Sequence, residues 1–470
     1  MNRRSEEFSY TQKVVRGILM YMSSSSGGGP SMGNTFNKWL GTFNLEPGLL
    51  IPPMVIMLVL LVAIFDQLMI SAIGLTFIII LPFWLPFLLL HHLWTTWIHY
   101  IRFQYWKTQD HVLLEITIPQ EMSKSPLAME VFLTSLWNAG GESTFIDRLW
   151  TGKFRAVFSL EIASNEGRVA FYLHMRKGMK NIVEARLYGQ FPELHVREVE
   201  DYVGKIPFNL TDYDLFGAEY AFGKSNAYPI KTYIDYGLDR DPKEEFRIDP
   251  ITHILELLGQ VGAGEYYWMQ IILVARKKDQ WYGFYSGEDS YAGAIKEAIQ
   301  GIMQNAAKRG KSIVVDSDEP GRSTQLTDGE KRAIEAIEKK AAKLIFECGI
   351  RAVYLAKRDN YVAVNNGGVI RLFDHVKSNE FNSFGPTRGT TVFDYPWQDL
   401  GKRKSNAAKM ELFSNFRDRA YFYAPYDQVP MLMNTEELAT LWHFPGSIVQ
   451  TPSLGRKLSR TSEAPLNLPM

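Results

Sequence analysis

The sequence predicts an α+β protein: a two-helix transmembrane hairpin followed by two βαββαβ domains, the second with an insertion. Two observations lead to this fold class. Two long uncharged apolar runs follow each other early in the chain. From residue 111 onward, segments in which apolar residues alternate as in a strand are followed by segments with the apolar spacing of a helix. The predicted segments are a flexible N-terminal arm (1–47), the hairpin with an aromatic juxtamembrane helix (48–107), two α/β domains (108–207 and 208–444) and a Pro-rich C-terminal strap (445–470).

The hairpin prediction depends on the length of the two apolar runs. The first extends from Leu49 to Phe65 and the second from Leu68 to Leu90, with Asp66 and Gln67 as the strongly polar break between them. A helix needs about 20 apolar residues to cross a bilayer. The second run is therefore long enough to span a membrane, and the first is just long enough.

Basic residues flank both ends of this region, in 1–38 and 102–107. Because positive charge resists translocation, this pattern predicts a multi-pass protein of the inner membrane with both termini cytoplasmic. Aromatic side chains after the second run would occupy the headgroup layer. The predicted membrane-interface residues are Trp94, Trp97, Tyr100 and Trp106.

Two alternatives to the hairpin stay open. Pro52, Pro53, Pro82 and Pro86 interrupt the apolar region, which is also compatible with one tilted span and an interfacial piece. The region could also form a buried helix of a protein that does not cross a membrane. A secretory signal peptide is not expected, because the apolar stretch begins late and is too long.

Composition narrows the function classes. Lys plus Arg equals Asp plus Glu at 51 each, so no global field draws the chain to nucleic acid. Cys348 is the one cysteine, which excludes an internal disulfide and a Cys-rich zinc site. It is interpreted as a small core residue rather than a reactive thiol.

The first α/β domain is predicted from a regular succession of segments. Their order is strand, helix, two strands joined at a turn, helix and strand, which is the split βαβ arrangement of ferredoxin-like domains. The segments are His111–Pro119, Ser125–Ala139, Val157–Ile162, Arg168–His174, Met179–Phe191 and Glu193–Tyr202.

The second α/β domain repeats this theme less regularly. A helix over about 290–309 and another opening at the capping box Thr327–Glu330 would form the insertion. The remaining segments are strands at Tyr228–Tyr236, Tyr266–Arg276 and Arg351–Lys357, a helix at Pro250–Gln260 and a helical stretch ending near residue 381.

Sequence motifs for catalysis or cofactor binding do not hold up. Gly310-Lys311-Ser312 resembles part of a phosphate loop, but Asn305 stands where that motif needs glycine, and the predicted order of helix before strand is reversed. The histidine cluster His91–His92–His99 lacks a further ligand to complete a metal site. The carboxylate cluster Glu198–Glu200–Asp201 lacks the pocket that acid–base catalysis would need. We therefore expect no catalytic, cofactor-binding or metal site.

A basic segment is a candidate contact for nucleic acid or anionic lipid. Lys402, Arg403 and Lys404 precede a helix in which aromatic residues such as Phe413 and Phe416 are interleaved with further basic residues. Basic and aromatic side chains together can follow phosphates and stack on bases. A solvated helix beside the core is the favoured interpretation.

Several stretches resemble a known family: large membrane-anchored proteins of conjugation and type IV secretion-like systems, in which a hairpin and tandem α/β domains precede a motor ATPase domain. The resemblance rests on VLLEITIPQEMSKSPLAMEVF (Val112–Phe132), FSLEIASNEGRVAFYLHMRKGMKNIVEARLYGQFPELHVREVEDY (Phe158–Tyr202), GIRAVYLAK (Gly349–Lys357), MLMNTEELATLWHFPG (Met431–Gly446) and the ending EAPLNLPM.

The resemblance implies a non-catalytic inner-membrane scaffold or docking subunit without the ATPase domain, because the phosphate loop of the family would lie beyond Met470. Its partners would be a separate phosphate-loop ATPase, other secretion components or further copies. The alternatives are a membrane-tethered DNA-binding adaptor or a membrane enzyme. Exposed sheet edges and a capped helix near the strap are the expected docking elements, the helix contributing Asn434, Glu436, Glu437 and Trp442.

Overall fold

The computed structural model describes most of the chain after residue 66. The described residues are 67–119, 122, 124–138, 140–141, 144–239, 249–277, 290–313, 326–378, 380–390, 396–423, 426–446 and 454. The chain divides into two units, Met1–Phe103 and Gln104–Met470. The predicted N-terminal arm, the first apolar run and nearly all of the strap lie outside the described residues.

The second apolar run belongs to one continuous helix, α1 (Gln67–Lys107). It does not end near Leu90 as predicted, but runs on through His91 and His92 into an aromatic and basic segment. Among the helices that the structure describes, none combines the length and the apolar character needed to cross a membrane. The predicted transmembrane hairpin and the predicted multi-pass inner-membrane location are therefore wrong.

The second unit combines helices of 5 to 24 residues with strands of 2 to 13 residues. The helices are α2 (Pro126–Leu136), α3 (Phe145–Leu149), α4 (Lys180–Gln190), α5 (Pro250–Gly259), α6 (Ser290–Ile313), α7 (Asp328–Ala342), α8 (Asn365–Ile370), α9 (Arg403–Asp418) and α10 (Thr435–Leu441). The strands are β1 (His111–Thr117), β2 (Val157–Asn165), β3 (Arg168–Arg176), β4 (His195–Val199), β5 (Tyr213–Phe222), β6 (Glu265–Ala275), β7 (Ile345–Lys357), β8 (Phe384–Gly389), β9 (Phe422–Tyr423), β10 (Tyr426–Asp427) and β11 (Met431–Asn434).

Nine of these strands form one antiparallel sheet. Its order is β4-β1-β3-β2-β6-β7-β5-β8, with β11 beside the first part of β7. The predicted fold class, with two separate ferredoxin-like domains behind a hairpin, is wrong. The physical reason is the pairing of β2 with β6 from Val157 opposite Val274 to Asn165 opposite Tyr266, which joins two strands that would otherwise be open edges.

The strand order in the sheet is repeated about the β2–β6 junction. On one side the order is β4-β1-β3-β2, which is the fourth, first, third and second strand of the first set. On the other side the order is β8-β5-β7-β6, again the fourth, first, third and second strand of its set. Helices α6 and α7 interrupt the second set between β6 and β7. Because of this repeat, the fourth strand of each set, β4 or β8, forms an outer edge of the sheet.

The main core lies on one face of the sheet, called here the apolar face. Side chains of successive strands alternate between faces, and this face carries buried residues such as Leu114, Leu160 and Phe171. Helices α2, α4, α5 and α10 add their apolar sides to the same cluster. The opposite face is covered in part by α9, whose Phe413 and Phe416 pack near Trp268. The sheet is thus buried between two layers along its centre.

Cys348 of β7 lies in the main core and is fully buried. Burial raises the pKa of this thiol well above its ordinary value, with the nearby carboxylate of Glu437 adding to the effect. Since only the thiolate is nucleophilic, we expect a thiol reagent to label Cys348 at least about 100-fold more slowly in the native protein than in denaturant, as labelling requires local opening. Equal labelling rates would contradict the burial.

Candidate docking site

A row of polar side chains crosses the face of the sheet on which α9 lies, called here the charged face. Each residue of this polar row is opposite the next in the strand register, one from each of the eight strands of the main order. The polar row consists of Arg197, Glu115, Tyr172, Glu161, Gln270, Arg351, Glu219 and Arg388.

Glu161, in the middle of the polar row, is fully buried and has hydrogen bonds to both of its oxygens. Its Oε1 accepts from Ser159 Oγ at 2.7 Å and from Gln270 Nε2 at 2.8 Å. Its Oε2 accepts from Tyr202 Oη at 2.8 Å. Arg419 supplies the positive charge, with Nε 3.0 Å from Oε1 and Nη2 3.2 Å from Oε2. A buried carboxylate needs such partners because its charge is costly away from water.

Arg419 joins this carboxylate to a second one and thereby fixes the end of α9. Its guanidinium also donates to both oxygens of Asp201. Burial opposes the charge on Arg419, but the carboxylates of Glu161 and Asp201 outweigh burial and raise the pKa of Arg419. The residue has a φ of +49° at the C-terminal cap of α9, so its side chain bonds at the point where the backbone leaves the helix.

Arg351 is fully buried on the other side of the junction. It donates from Nε to Gln270 Oε1 at 2.7 Å and from Nη2 to the carbonyl of Ala420 at 2.8 Å. Glu219 lies 3.6 Å from Arg351 Nη1 and accepts from Tyr426 Oη at 2.7 Å. Burial lowers the pKa of Arg351, and the charge of Glu219 opposes that shift. The centre of the polar row is therefore used to hold α9 and the segment after it.

The β4 end of the polar row is different because it opens into a cavity of about 500 Å³. It is lined by one residue each of β1, β2, β3 and β6, by Arg197 and Val199 of β4, and by the segment 200–206. Tyr202 stacks on Tyr172 with ring centroids 4.8 Å apart. Burial, followed by the negative charge of Glu115, raises the pKa of Tyr172 to about 12. Its hydroxyl therefore stays protonated at neutral pH and can donate.

Arg197 is the outermost charge of the polar row at this end. Its Nε and Nη2 lie 3.2 and 2.8 Å from the same oxygen, Oε2 of Glu115. The Arg197 side chain is 62% exposed, whereas that of Glu115 is 10% exposed. A guanidinium has five N–H donors, so this pairing leaves donors of Arg197 directed away from Glu115.

The two outer edges of the sheet differ in how they are protected. On its outer side, β4 pairs with no strand that the structure describes. Three of the five residues of β4 are exposed. The backbone N–H of Val196 donates to Tyr188 Oη at 3.4 Å, so it faces away from β1, and by alternation the N–H of Glu198 does too. At the other edge, β8 contains Pro386, and its register shifts opposite Glu219 and Tyr220. Proline and irregular register are features that block strand addition.

The structure places the four predicted docking residues inside the protein. Asn434, Glu436, Glu437 and Trp442 are at most 3% exposed. Asn434 and Glu437 form the predicted capping box of α10, and Glu437 also pairs with the fully buried Lys340 at 3.2 Å. A partner would reach these side chains only if α10 left its position, so we base no proposal on them.

The predicted basic segment is exposed at the start of α9. Lys402, Arg403 and Lys404 are all solvent-accessible, and Asp399 accepts the backbone N–H groups of Lys404 and Ser405 at 2.8 Å each. Of the interleaved aromatic residues, Phe413, Phe416 and Tyr421 are buried and so are not available to stack on bases. Trp397, a few residues before the basic segment, is 66% exposed.

The predicted membrane-interface residues all lie on α1. Trp94 and Trp97 are half-buried, and Tyr100 and Trp106 are 55% and 38% exposed. Trp97 lies near Tyr100 with ring centroids 6.2 Å apart.

Sequence reasoning missed the residues of the polar row. One signal was available: β1 and β2 are apolar strands that each carry a single charged residue near the middle, Glu115 and Glu161, and Arg351 stands between apolar residues in the middle of β7. Charged residues in otherwise apolar strands are buried only when they are paired. Their partners could not be identified without the register that places them side by side.

Comparisons with known proteins give one family. A comparison with curated protein sequences finds no significant match. A family model described as a domain of unknown function, DUF8128, matches residues 108–457, which include every strand of the sheet. The chain therefore belongs to the DUF8128 family of proteins.

Proposed function

We propose that this protein is a non-catalytic docking subunit, which binds an extended segment of a partner protein along the outer edge of β4. The observation that carries the proposal is the contrast between the two sheet edges. On β4 the backbone N–H of Glu198 faces outward, beside that of Val196, which donates to Tyr188 Oη, while Pro386 interrupts the corresponding edge at β8. Main-chain hydrogen bonds to an exposed edge provide affinity in such complexes, and neighbouring side chains provide specificity.

The arrangement of charges supports binding rather than catalysis. The buried charges of the polar row are each paired within the chain, with Glu161 bound to Arg419 and Arg351 to Glu219. These pairs connect α9 and its following segment to the sheet. A rigid sheet of this kind is a suitable platform for a docking edge, because ordered strands lose little conformational freedom on binding.

The partner we propose is a phosphate-loop ATPase of a conjugation or type IV secretion-like machine. The support is the resemblance of 112–132, 158–202, 349–357 and 431–446 to the α/β part of such proteins. In the structure these stretches cover β1, α2, β2, β3, α4, β4, much of β7, and β11 with α10. The resemblance thus includes β4 itself. The transmembrane hairpin and the inner-membrane location predicted from the sequence are not part of this proposal.

Glu198→Pro tests this proposal. Proline removes the outward N–H of β4 without removing a hydrogen bond to β1, because proline is tolerated at such positions of edge strands. We expect recovery of the ATPase with the full-length protein, isolated from its native cells, to fall at least about tenfold. Quantitative mass spectrometry of the isolated complexes measures this.

The matched control is Glu198→Ala. Both substitutions remove the exposed pair between Glu198 and Lys180, whose atoms are 2.7 Å apart, but alanine keeps the backbone N–H. We expect Glu198→Ala to recover the partner as well as the unchanged protein does. Equal recovery with Glu198→Pro would show that β4 is not the docking edge.

A further inference from the structure

We infer that the segment bound at β4 carries an acidic residue opposite Arg197 and an apolar residue opposite Val196. The inference rests on the proposed function and specifies the chemistry of the partner. It follows from the charges of the polar row, from the N–H donors of Arg197 that do not bind Glu115, and from the side chains on the apolar face of β4. A partner strand would extend the sheet by one position, so its residue opposite Arg197 would become the next member of the polar row.

The signs of the charges in the polar row favour a carboxylate at that position. On the β5 side of the row, Arg351 is followed by Glu219 and then by Arg388. On the β4 side the row ends with Glu115 and Arg197. Directly opposite residues on adjacent strands interact favourably when their charges differ and unfavourably when they are alike. A residue opposite Arg197 is therefore stabilised when it is acidic and disfavoured when it is basic.

The geometry of Arg197 allows it to bind a second carboxylate. Its two donors to Glu115 converge on one oxygen, Oε2, and the rest of the guanidinium is exposed to solvent. A guanidinium can bind carboxylates on two of its edges at once because its donors are planar and fixed. Glu115 also holds Arg197 in position before binding, which lowers the entropy lost when a partner carboxylate binds.

The flanking residues of the partner segment would lie on the apolar face. On β4 these positions are next to Val196, which packs against the main core, and to Tyr188 of α4, whose ring is 38% exposed. Tyr188 also contacts the backbone N–H of Val196 through its hydroxyl. An apolar side chain in the partner, opposite Val196, would cover this ring and the edge of the core. The other flanking position faces Glu198, which pairs with Lys180, so the predicted motif is an acidic residue with an apolar residue beside it on the Val196 side.

A second copy of this chain is a poorer occupant of the edge. If two β4 strands paired antiparallel about Arg197, the two Arg197 side chains would face each other, and if they paired about Glu198, the two Glu198 side chains would do so. Like charges in directly opposite positions are destabilising. These two registers of self-association are therefore disfavoured, and pairing of two copies in another register is an outcome that ultracentrifugation would detect.

The test uses synthetic peptides of about nine residues that alternate valine and threonine, with glutamate, glutamine or lysine at the centre. Binding to the full-length protein is measured by fluorescence anisotropy. We expect the glutamate peptide to bind about tenfold more tightly than the glutamine peptide and the lysine peptide to bind most weakly. Arg197→Glu should reverse this order. Arg388→Glu, a change of the same residue type at the blocked edge of the polar row, should leave it unchanged.

The outcomes separate this inference from the proposed function. If all three peptides bind equally and Glu198→Pro abolishes their binding, docking at β4 stands and the acidic preference is wrong. If Glu198→Pro leaves peptide binding intact, β4 is not the docking edge. The absence of binding by any peptide would overturn the inference, as would a dimer in analytical ultracentrifugation that Glu198→Pro dissociates.

Discussion

Replacement of Arg419 by alanine is expected to lower the free energy of unfolding by about 3–5 kcal/mol, the usual cost of removing one partner from a buried ion pair. The substitution leaves Glu161, which is fully buried, without its positive partner and frees Asp201. It also removes the side chain that connects the end of α9 to β2. The remaining donors to Glu161 are neutral, so the carboxylate would be only partly stabilised.

Chemical denaturation followed by circular dichroism would measure this loss. Arg417→Ala is the matched control, because Arg417 is two positions away, 47% exposed and paired with the exposed Asp418. Surface pairs of this type contribute at most about 1 kcal/mol. If the two alanine variants were equally stable, the pair between Arg419 and Glu161 would not be the connection that the structure indicates.

Replacement of Lys340 by methionine should have an effect of similar size on the apolar side of the sheet. Lys340 Nζ lies 3.2 Å from Glu437 Oε1 and 3.2 Å from the carbonyl of Tyr228, and both charged side chains are fully buried. Methionine fills nearly the same volume but leaves the Glu437 carboxylate in the core without a cation. We expect a loss of about 3–5 kcal/mol.

The double variant Lys340→Met with Glu437→Gln should be more stable than Lys340→Met alone, because it removes both charges from the core. Lys339→Met is the control for the loss of a lysine, since Lys339 is 48% exposed. A double variant that is less stable than the single one would contradict the electrostatic explanation.

The deficit of Lys340→Met should also depend on pH. Burial raises the pKa of Glu437 above its ordinary value of 4.5, and Lys340 opposes this shift. Without Lys340, the protonated form of Glu437 is favoured further in the folded protein. A raised folded-state pKa provides stability below the unfolded value, which is lost as pH rises through the folded value. The deficit should therefore shrink as pH falls towards 4.5, measurable by denaturation at several pH values.

Local sequence signals identified many of the elements but not how they assemble. The capping boxes at Thr327–Glu330 and Asn434–Glu437 are present, because a cap depends only on residues within one turn. β1 and β3 begin at His111 and Arg168, the starts of the predicted strands. The pairing of β2 with β6 could not be predicted in the same way, since it joins residues about a hundred positions apart in the sequence.

Errors in the second half of the sheet have the same origin. The predicted strand Tyr228–Tyr236 is wrong, and β5 lies at Tyr213–Phe222 instead. Gly217 makes β5 look weak as a strand in sequence. In the structure a Cβ at that position would lie 2.5 Å from Leu412 Cδ2 of α9 and 3.0 Å from the carbonyl oxygen of Ala352, so a larger residue would force these neighbours to shift. Only the tertiary contact explains the residue.

The candidate site was the least predictable part. Exposed sheet edges were expected to take part in docking, but the residues chosen for it, such as Glu437 and Trp442, are core residues. A capped, partly charged helix looks the same in sequence whether it is exposed or buried. Which of its residues reach solvent depends on the elements packed around it, here α2, α5 and β11.

The difference between β4 and β8 also sets a limit on how such molecules can assemble. Both are fourth strands in the repeated order and both end the sheet, so two open edges would let one molecule add to the next from head to tail without closure, as in a fibre. Pro386 removes one of the two edges. Head-to-tail addition would need both edges and is therefore blocked at β8, which leaves each molecule one edge at which a partner segment could pair.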